Sequence, residues 1–122
     1  MIQLEAFTLG YGQQILLDHV SANLDGGGLI ALLGRNGSGK STLLRATAGL
    51  GTIKSGRILL AGKDLAELRP EELARTVSFV TTEKVRIPNL KCRDVVALGR
   101  APYTNWVGRL QPQDREIVAK SL

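Results

Sequence analysis

The chain has 122 residues, a formal net charge of +5 and 43% hydrophobic residues, which suits one soluble domain or less than one. Its longest apolar run, residues 29–33, is far shorter than the roughly 18 residues that a membrane-spanning helix needs, so no transmembrane helix is expected. The single cysteine, Cys92, excludes an internal disulfide and a cysteine-based zinc cluster. The N-terminus, MIQLEAFTL, has no basic leader before an apolar core, so we expect no secretory signal and a cytoplasmic location.

The first third of the chain predicts strands joined by short turns. Residues 2–9 alternate apolar and polar side chains, as in a half-buried strand, and residues 15–24 contain a second extended segment. Glycine-rich turns follow each of them, at residues 9–12 and 25–28. Residues 29–33 are uniformly apolar, which is typical of a strand buried on both faces, as in a parallel sheet. The pattern therefore predicts an antiparallel meander that leads into a buried strand.

The segment after this strand carries the most specific motif of the chain. Its spacing, Gly34-x-x-x-x-Gly39-Lys40-Ser41, is the Walker A pattern, a phosphate cradle with a lysine for the β- and γ-phosphates and a hydroxyl for Mg²⁺. Glycines permit positive φ, so that successive backbone N–H groups can converge on one anion. A helix that opens at Lys40 would add its unpaired N–H groups at the same place. The alternative, a glycine-rich turn with an incidental lysine, is disfavoured by the apolar strand before the motif and the helix after it.

The rest of the chain predicts a strand, one further buried strand and three helices. Proline and acidic residues mark two helix starts, where they suit the helix geometry and dipole. The last helix has no stop signal at the chain end, so we expect the natural chain to continue. In order, the predicted elements are a strand at 57–61, a helix at 70–75, a buried strand at 77–80, a loop at 81–91, a helix at 92–99, an irregular segment at 100–110 and a helix from Pro112.

The flanks of the motif narrow the class of protein. A tyrosine lies in the turn Gly10-Tyr11-Gly12, a little over twenty residues before the loop Gly-Arg-Asn-Gly-Ser-Gly-Lys-Ser-Thr. This combination resembles the nucleotide-binding subunit of ATP-binding cassette (ABC) transporters. Three segments further along the chain look like those of the importers of iron siderophores, haem and cobalamin, namely residues 55–58, 72–75 and 94–100. The resemblance covers essentially the whole chain but only the first half of the family's domain.

The resemblance implies a fold class for residues 1–122 and indicates which part of the family's nucleotide-binding domain they form. The expected class is α/β, a fragment of the ABC-type P-loop NTPase fold with an antiparallel β-subdomain and a partial parallel core with helices. The fragment would hold the A-loop, the Walker A loop, a degenerate Q-loop region and the start of the helical subdomain. The Walker B strand with its acidic residue, the Leu-Ser-Gly-Gly-Gln signature and the switch histidine are missing from this sequence.

The resemblance also implies a role for each site residue, with ATP and Mg²⁺ as cofactors. Tyr11 would stack on adenine, although an exposed aromatic in a hairpin turn is the alternative. Lys40 would bind the β- and γ-phosphates and is the expected catalytic residue, and Ser41 would bind the metal. The remaining expected phosphate contacts are Gly34, Arg35, Asn36, Gly37, Ser38, Gly39 and Thr42.

The chain departs from the family where a glutamine is expected after the strand at 77–80. It has Thr81-Thr82-Glu83 instead. Thr82 keeps an oxygen on a shorter side chain, and Glu83 either replaces the glutamine or is solvated. With this departure and the missing motifs, we expect the chain alone to bind nucleotide weakly and not to hydrolyse it.

The function implied by the resemblance is that of an importer's ATP-binding subunit. Such a subunit couples ATP binding and hydrolysis to transport of an iron-chelate, haem or cobalamin-type substrate, at the cytoplasmic face of the inner membrane. The implied partners are a second ATP-binding subunit, the permease subunits and, indirectly, a substrate-binding protein, with no nucleic acid. Two alternatives stay open, a soluble ABC ATPase of translation or repair and an inactive nucleotide-binding fragment. Tyr103 and Trp106 fit a permease-docking surface or a core equally well.

Overall fold

The computed structural model describes residues 1–84, 86–104 and 108–122. The chain divides into two compact units, residues 1–73 and residues 74–122. Trp106, for which the sequence left a docking role and a core role open, lies outside the described residues.

The first unit is built on a four-stranded antiparallel sheet. Its strands are β1 (Ile2–Tyr11), β2 (Gln14–Leu24), β3 (Ser55–Leu60) and the two-residue β4 (Lys63–Asp64), in the spatial order β2-β1-β3-β4. β1 and β2 form a tight hairpin in which Tyr11 pairs with Gln14. The predicted antiparallel β-subdomain is therefore confirmed, with β1 as a central strand.

One hydrophobic cluster joins this sheet to the helix that follows the glycine-rich loop. The helix, α1, spans Lys40–Thr47 and begins at the residue that the sequence predicted. Phe7 and Leu9 of β1 have no exposed surface, and they share the cluster with Leu4, Ile58 and Ala46 of α1. The start of α1 is thus fixed relative to the end of β1.

Two predicted strands of the parallel core were wrong. Residues 29–33 and 77–80 carry no strand structure, and Leu29 is 100%, Leu33 88% and Val80 94% exposed. A strand needs a hydrogen-bonded neighbour, and neither segment joins a sheet within the described part of the chain. Their apolar composition indicates that they favour burial, but neither segment is paired with a strand in the described part of the chain.

The second unit contains the helices α3 (Cys92–Leu98) and α4 (Pro112–Lys120), which contact each other, and a 3₁₀ turn at Ala101–Tyr103. The helix α2 (Pro70–Thr76) crosses the boundary between the units. The helices α2, α3 and α4 each begin at the residue that the sequence predicted. No described helix has the length and apolar character needed to cross a bilayer.

An ion pair in the second unit ties the segment before α4 to α4 itself. Asp114 is almost fully buried, and its Oδ1 lies 2.8 Å from Nη2 of Arg100. Its Oδ2 accepts a hydrogen bond from the Gln111 amide at 3.0 Å, which caps the helix. This backbone hydrogen bond first, and the Arg100 side chain second, hold the pKa of Asp114 below its usual range.

Replacing Leu9 by alanine should destabilise the first unit, because the change leaves a cavity in the shared cluster. We expect the free energy of unfolding to fall by about 2–5 kcal/mol. The matched control is Leu29→Ala, at a fully exposed leucine, for which a change within about 0.5 kcal/mol is expected. Denaturant unfolding followed by circular dichroism measures both, and equal losses would contradict the described core.

Asp114 should make stability depend on pH in the acid range. Its pKa in the folded chain lies below the unfolded value, so its contribution is present above about pH 4 and is lost as the pH falls through the folded pKa. We therefore expect Asp114→Asn to lower the thermal unfolding midpoint at neutral pH and to matter less near about pH 3. Glu116→Gln, at an exposed ion pair of the same helix, is the control. A pH-independent effect of Asp114→Asn would refute the assignment.

Candidate functional site

The glycine-rich loop turns tightly into α1. Gly37 and Gly39 have φ values of 82° and 92°, in the left-handed region that side-chain-bearing residues avoid. Gly39 is the N-cap of α1, and its carbonyl accepts the helical hydrogen bond from Leu43 N at 2.8 Å. Within the loop, Ser38 N donates to the Arg35 carbonyl at 3.2 Å. The curled loop conformation predicted from the glycine spacing is therefore present.

Gly39 is also required for close packing against the hairpin. A Cβ atom at this position would lie 3.2 Å from Leu16 Cδ1 of β2. Ordinary side-chain contacts are longer than this, so either Leu16 or the loop would have to move. The loop is thus packed against β2 at the same residue that begins α1.

The side chain of Lys40 folds back onto the loop that precedes it. Its Nζ donates hydrogen bonds to the carbonyl oxygens of Gly34, at 2.7 Å, and Arg35, at 2.8 Å. An ammonium group has three N–H donors, so these two bonds leave one donor for a further acceptor. The Lys40 side chain therefore places a full positive charge against the loop.

The first turn of α1 adds to this charge. Helix geometry leaves the N–H groups of Lys40, Ser41 and Thr42 without a partner inside the helix, and the helix dipole is positive at this end. The first turn contains no acidic residue that would compete with an anionic ligand. Loop, helix and lysine together form an environment suited to a phosphate group.

A cleft of about 430 Å³ lies beside the loop and collects most of the predicted site residues. Tyr11 reaches it from the hairpin turn, where its hydroxyl lies 2.8 Å from Thr42 Oγ1. Lys40 is the one residue with a full charge in the described lining. The lining residues are Tyr11, Gln14, Leu16, Asn36, Gly37, Gly39, Lys40, Ser41 and Thr42.

Three predicted contacts lie outside this cleft. Gly34 and Arg35 act through the carbonyl groups that hold Lys40. Gly34 and Ser38 line a neighbouring cavity of about 240 Å³, together with apolar side chains such as Leu33 and Leu43. These three residues therefore hold Lys40 or line the neighbouring cavity, and their contact with a ligand stays a prediction.

Two residues of the lining, Gln14 and Leu16, were missed by the sequence analysis. The pairing of β1 with β2 is the feature from which they could be sought. Gln14 follows from the two-residue loop, since it pairs with Tyr11, whereas Leu16 falls at a register shift between Ile15, which pairs with Gly10, and Leu17, which pairs with Leu9. The sequence marked the turn but not the residue that faces Tyr11.

Ser41 is exposed at the cleft and gives a single oxygen for a metal ion. Mg²⁺ binds oxygen ligands, keeps several waters and is commonly held by substrate phosphates as well as by the protein, so one hydroxyl fits a partial ligand set. Among the described residues there is no cluster of three or more His, Cys, Asp and Glu side chains that could hold a metal without such help. Thr82 and Glu83 are exposed in a bend of the second unit.

Comparison with known proteins gives a consistent family. A family model described as ABC transporter matches residues 17–121. An uncharacterised ABC transporter ATP-binding protein of Methanocaldococcus jannaschii is 37% identical over 99% of this chain and 42% of its own length. The probable siderophore transport system ATP-binding protein YusV of Bacillus subtilis is 33% identical over 99% of this chain and 44% of its own length.

A solved structure of a dimeric bacterial ABC transporter cassette has a similar fold. It superposes with a TM-score of 0.78 at 26% identity, covering 99% of this chain and 55% of the cassette. The chain therefore spans less than half the length of the two relatives above and about half of the solved cassette.

Gly39→Ala should disturb the loop, because alanine is strained at a φ of 92° and its Cβ would press on Leu16. We expect a loss of about 1–2 kcal/mol in the free energy of unfolding. Gly28→Ala is the matched control, since no atom lies within 4 Å of a Cβ there and its φ is not in the left-handed region. If the two variants unfold alike, the described loop conformation is incorrect.

Proposed function

This chain belongs to the ABC transporter family, and we propose that it forms the part of an ATP-binding subunit that receives the base and phosphates of ATP. One observation carries the proposal. A single cleft is bordered by the glycine-rich loop and the start of α1 on one side and by the ring of Tyr11 on the other. A charged phosphate site and an aromatic surface are the two features that a nucleoside triphosphate requires together.

The phosphate chain would bind at the loop. Backbone N–H groups of residues 40–42 and the helix dipole favour an anion there, and Lys40 would turn its remaining donor toward the β- and γ-phosphates. Ser41 would hold Mg²⁺, which neutralises phosphate charge during phosphoryl transfer. Thr42 would contact a phosphate oxygen once its hydroxyl leaves Tyr11.

The base would stack on Tyr11. The tyrosine is 62% exposed, so its ring has free surface for a planar ligand. Stacking of a base on an aromatic side chain contributes about 1–3 kcal/mol in nucleic-acid binding proteins. Gln14 and Leu16, which line the same cleft, would border the ring and add apolar and polar contacts.

We propose that the whole protein is an importer subunit. The similarity to a protein named for siderophore transport supports an iron-chelate substrate, and the sequence resemblance extends this to haem or cobalamin. The subunit would pair with a second copy, as the dimeric cassette does, and act with permease subunits at the cytoplasmic face of the membrane. The same similarity favours import over a role in translation or repair.

This chain alone would bind nucleotide without turning it over. Phosphoryl transfer to water needs a group that orients the nucleophile, and the described lining of the cleft contains no carboxylate. A second candidate function, association through uncovered apolar segments, is favoured by the exposed side chains of Leu29 and Leu33.

Lys40→Ala should weaken binding of Mg-ATP, because it removes the one full positive charge in the described lining of the cleft. In isothermal titration calorimetry we expect the Kd to rise by at least about tenfold. Lys63→Ala, at an exposed lysine of β4, is the control and should bind as the unmodified chain does. No ATP binding by the unmodified chain, or equal binding by Lys40→Ala, would overturn the proposal.

The same samples test for turnover. Release of inorganic phosphate should stay at the level of the Lys40→Ala variant. A clear rate in the unmodified chain that disappears in that variant would show that the chain hydrolyses ATP unaided. Light scattering on the same preparation tests the second candidate, which a monodisperse monomer would contradict.

A further inference from the structure

The turn that carries Tyr11 is held by a hydrogen bond from Lys54, which is distant in sequence and is not part of the described lining of the cleft. We propose that Lys54, in the loop before β3, is a positioning residue for Tyr11 and sets how well the cleft receives the base. The inference rests on the proposed function, because it assigns to Lys54 a share of the contribution that Tyr11 makes to nucleotide binding.

The side chain of Lys54 is hydrogen-bonded to the turn itself. Its Nζ donates to the carbonyl oxygen of Gly12, the residue directly after Tyr11. Gly12 is the first residue of the two-residue hairpin loop and has a φ of 53°. Holding this carbonyl fixes the peptide plane between Gly12 and Gln13, and with it the direction in which the hairpin presents Tyr11.

Close packing along the lysine supports the same role. A Cβ atom on Gly10 would come within 2.9 Å of Lys54 Cε and closer still to the Gln14 carbonyl oxygen. Thus the lysine side chain runs against the glycine before Tyr11 and ends at the glycine after it. Gly10 therefore has no room for a side chain beside Lys54 and Gln14, whereas Gly12 is favoured by its positive φ.

The backbone of Lys54 makes a different contact from its side chain, so the role of the side chain can be tested separately by mutation. Its amide donates to the Thr8 carbonyl at 2.9 Å, beside the pairing of β1 with β3. Substitution of the side chain leaves this bond in place. The sheet should therefore persist in Lys54 variants while the turn loses its outer support.

The position of Tyr11 then depends on two hydrogen bonds on opposite sides of the turn. On the cleft side, the Tyr11 hydroxyl is paired with Thr42 Oγ1 at 2.8 Å. On the outer side, Lys54 holds Gly12. When phosphate engages Thr42, the inner bond is released, and Lys54 then supports the position of the ring beside the cleft together with the pairing of Tyr11 and Gln14. Loss of Lys54 should therefore weaken recognition of the base and leave the phosphate site unchanged.

The experiment compares two ligands that differ in the base. Isothermal titration calorimetry with Mg²⁺ measures the Kd for ATP and for inorganic tripolyphosphate in the unmodified chain and in Lys54→Met, Lys54→Arg and Lys63→Met. Methionine keeps an unbranched apolar chain without the donor, and arginine restores a donor. Circular dichroism establishes that each variant keeps its fold.

We expect Lys54→Met to raise the Kd for ATP by about three- to tenfold without changing the Kd for tripolyphosphate. Lys54→Arg should recover most of the loss, and Lys63→Met should bind both ligands normally. Equal weakening for the two ligands would assign Lys54 a general structural role and overturn the inference. Unchanged ATP binding in Lys54→Met would also overturn it, with the proposed function intact. Failure of the unmodified chain to bind either ligand would overturn the proposed function itself.

Discussion

The packing of β1 against α1 is the constraint on which the rest of the first unit depends. Phe7 and Leu9 are completely buried in β1, and Ala46 of α1 belongs to the same cluster. β1 ends at Tyr11 and α1 begins at Lys40. A single apolar cluster therefore determines the separation between the aromatic ring at one end of the strand and the positive charge at the start of the helix.

This arrangement assigns different physical tasks to different parts of the cleft. In the proposed site, phosphate recognition would rest on backbone geometry, since Gly37 and Gly39 have conformations that only glycine adopts easily. Recognition of a base would depend instead on one exposed side chain held by a short hairpin. The first task is common to many nucleotide-binding proteins, whereas the second depends on this chain's own contacts at Gly12 and Thr42. If the proposed site binds ATP, base recognition would depend on fewer contacts than phosphate recognition.

The sequence predicted the local features of the site better than the contacts between distant segments. The curl of the loop and the start of α1 follow from glycine spacing and helix-forming residues, which act over a few positions. The strand prediction for residues 29–33 was wrong because apolar composition reports a preference for burial and carries no information about a pairing partner. The contact of Lys54 with Gly12 could not be predicted from the sequence, because it spans 42 positions and depends on the register of β1 and β3.

The two hydrogen bonds from Lys40 to the carbonyls of Gly34 and Arg35 affect the entropy change when an anion binds at the loop. A free lysine side chain loses up to about 2 kcal/mol of rotamer entropy when it is fixed in one position. Here that loss accompanies folding, so it is largely absent from the binding step. Association at the loop should consequently be rapid and show a small entropic penalty, as expected for a preorganised receptor.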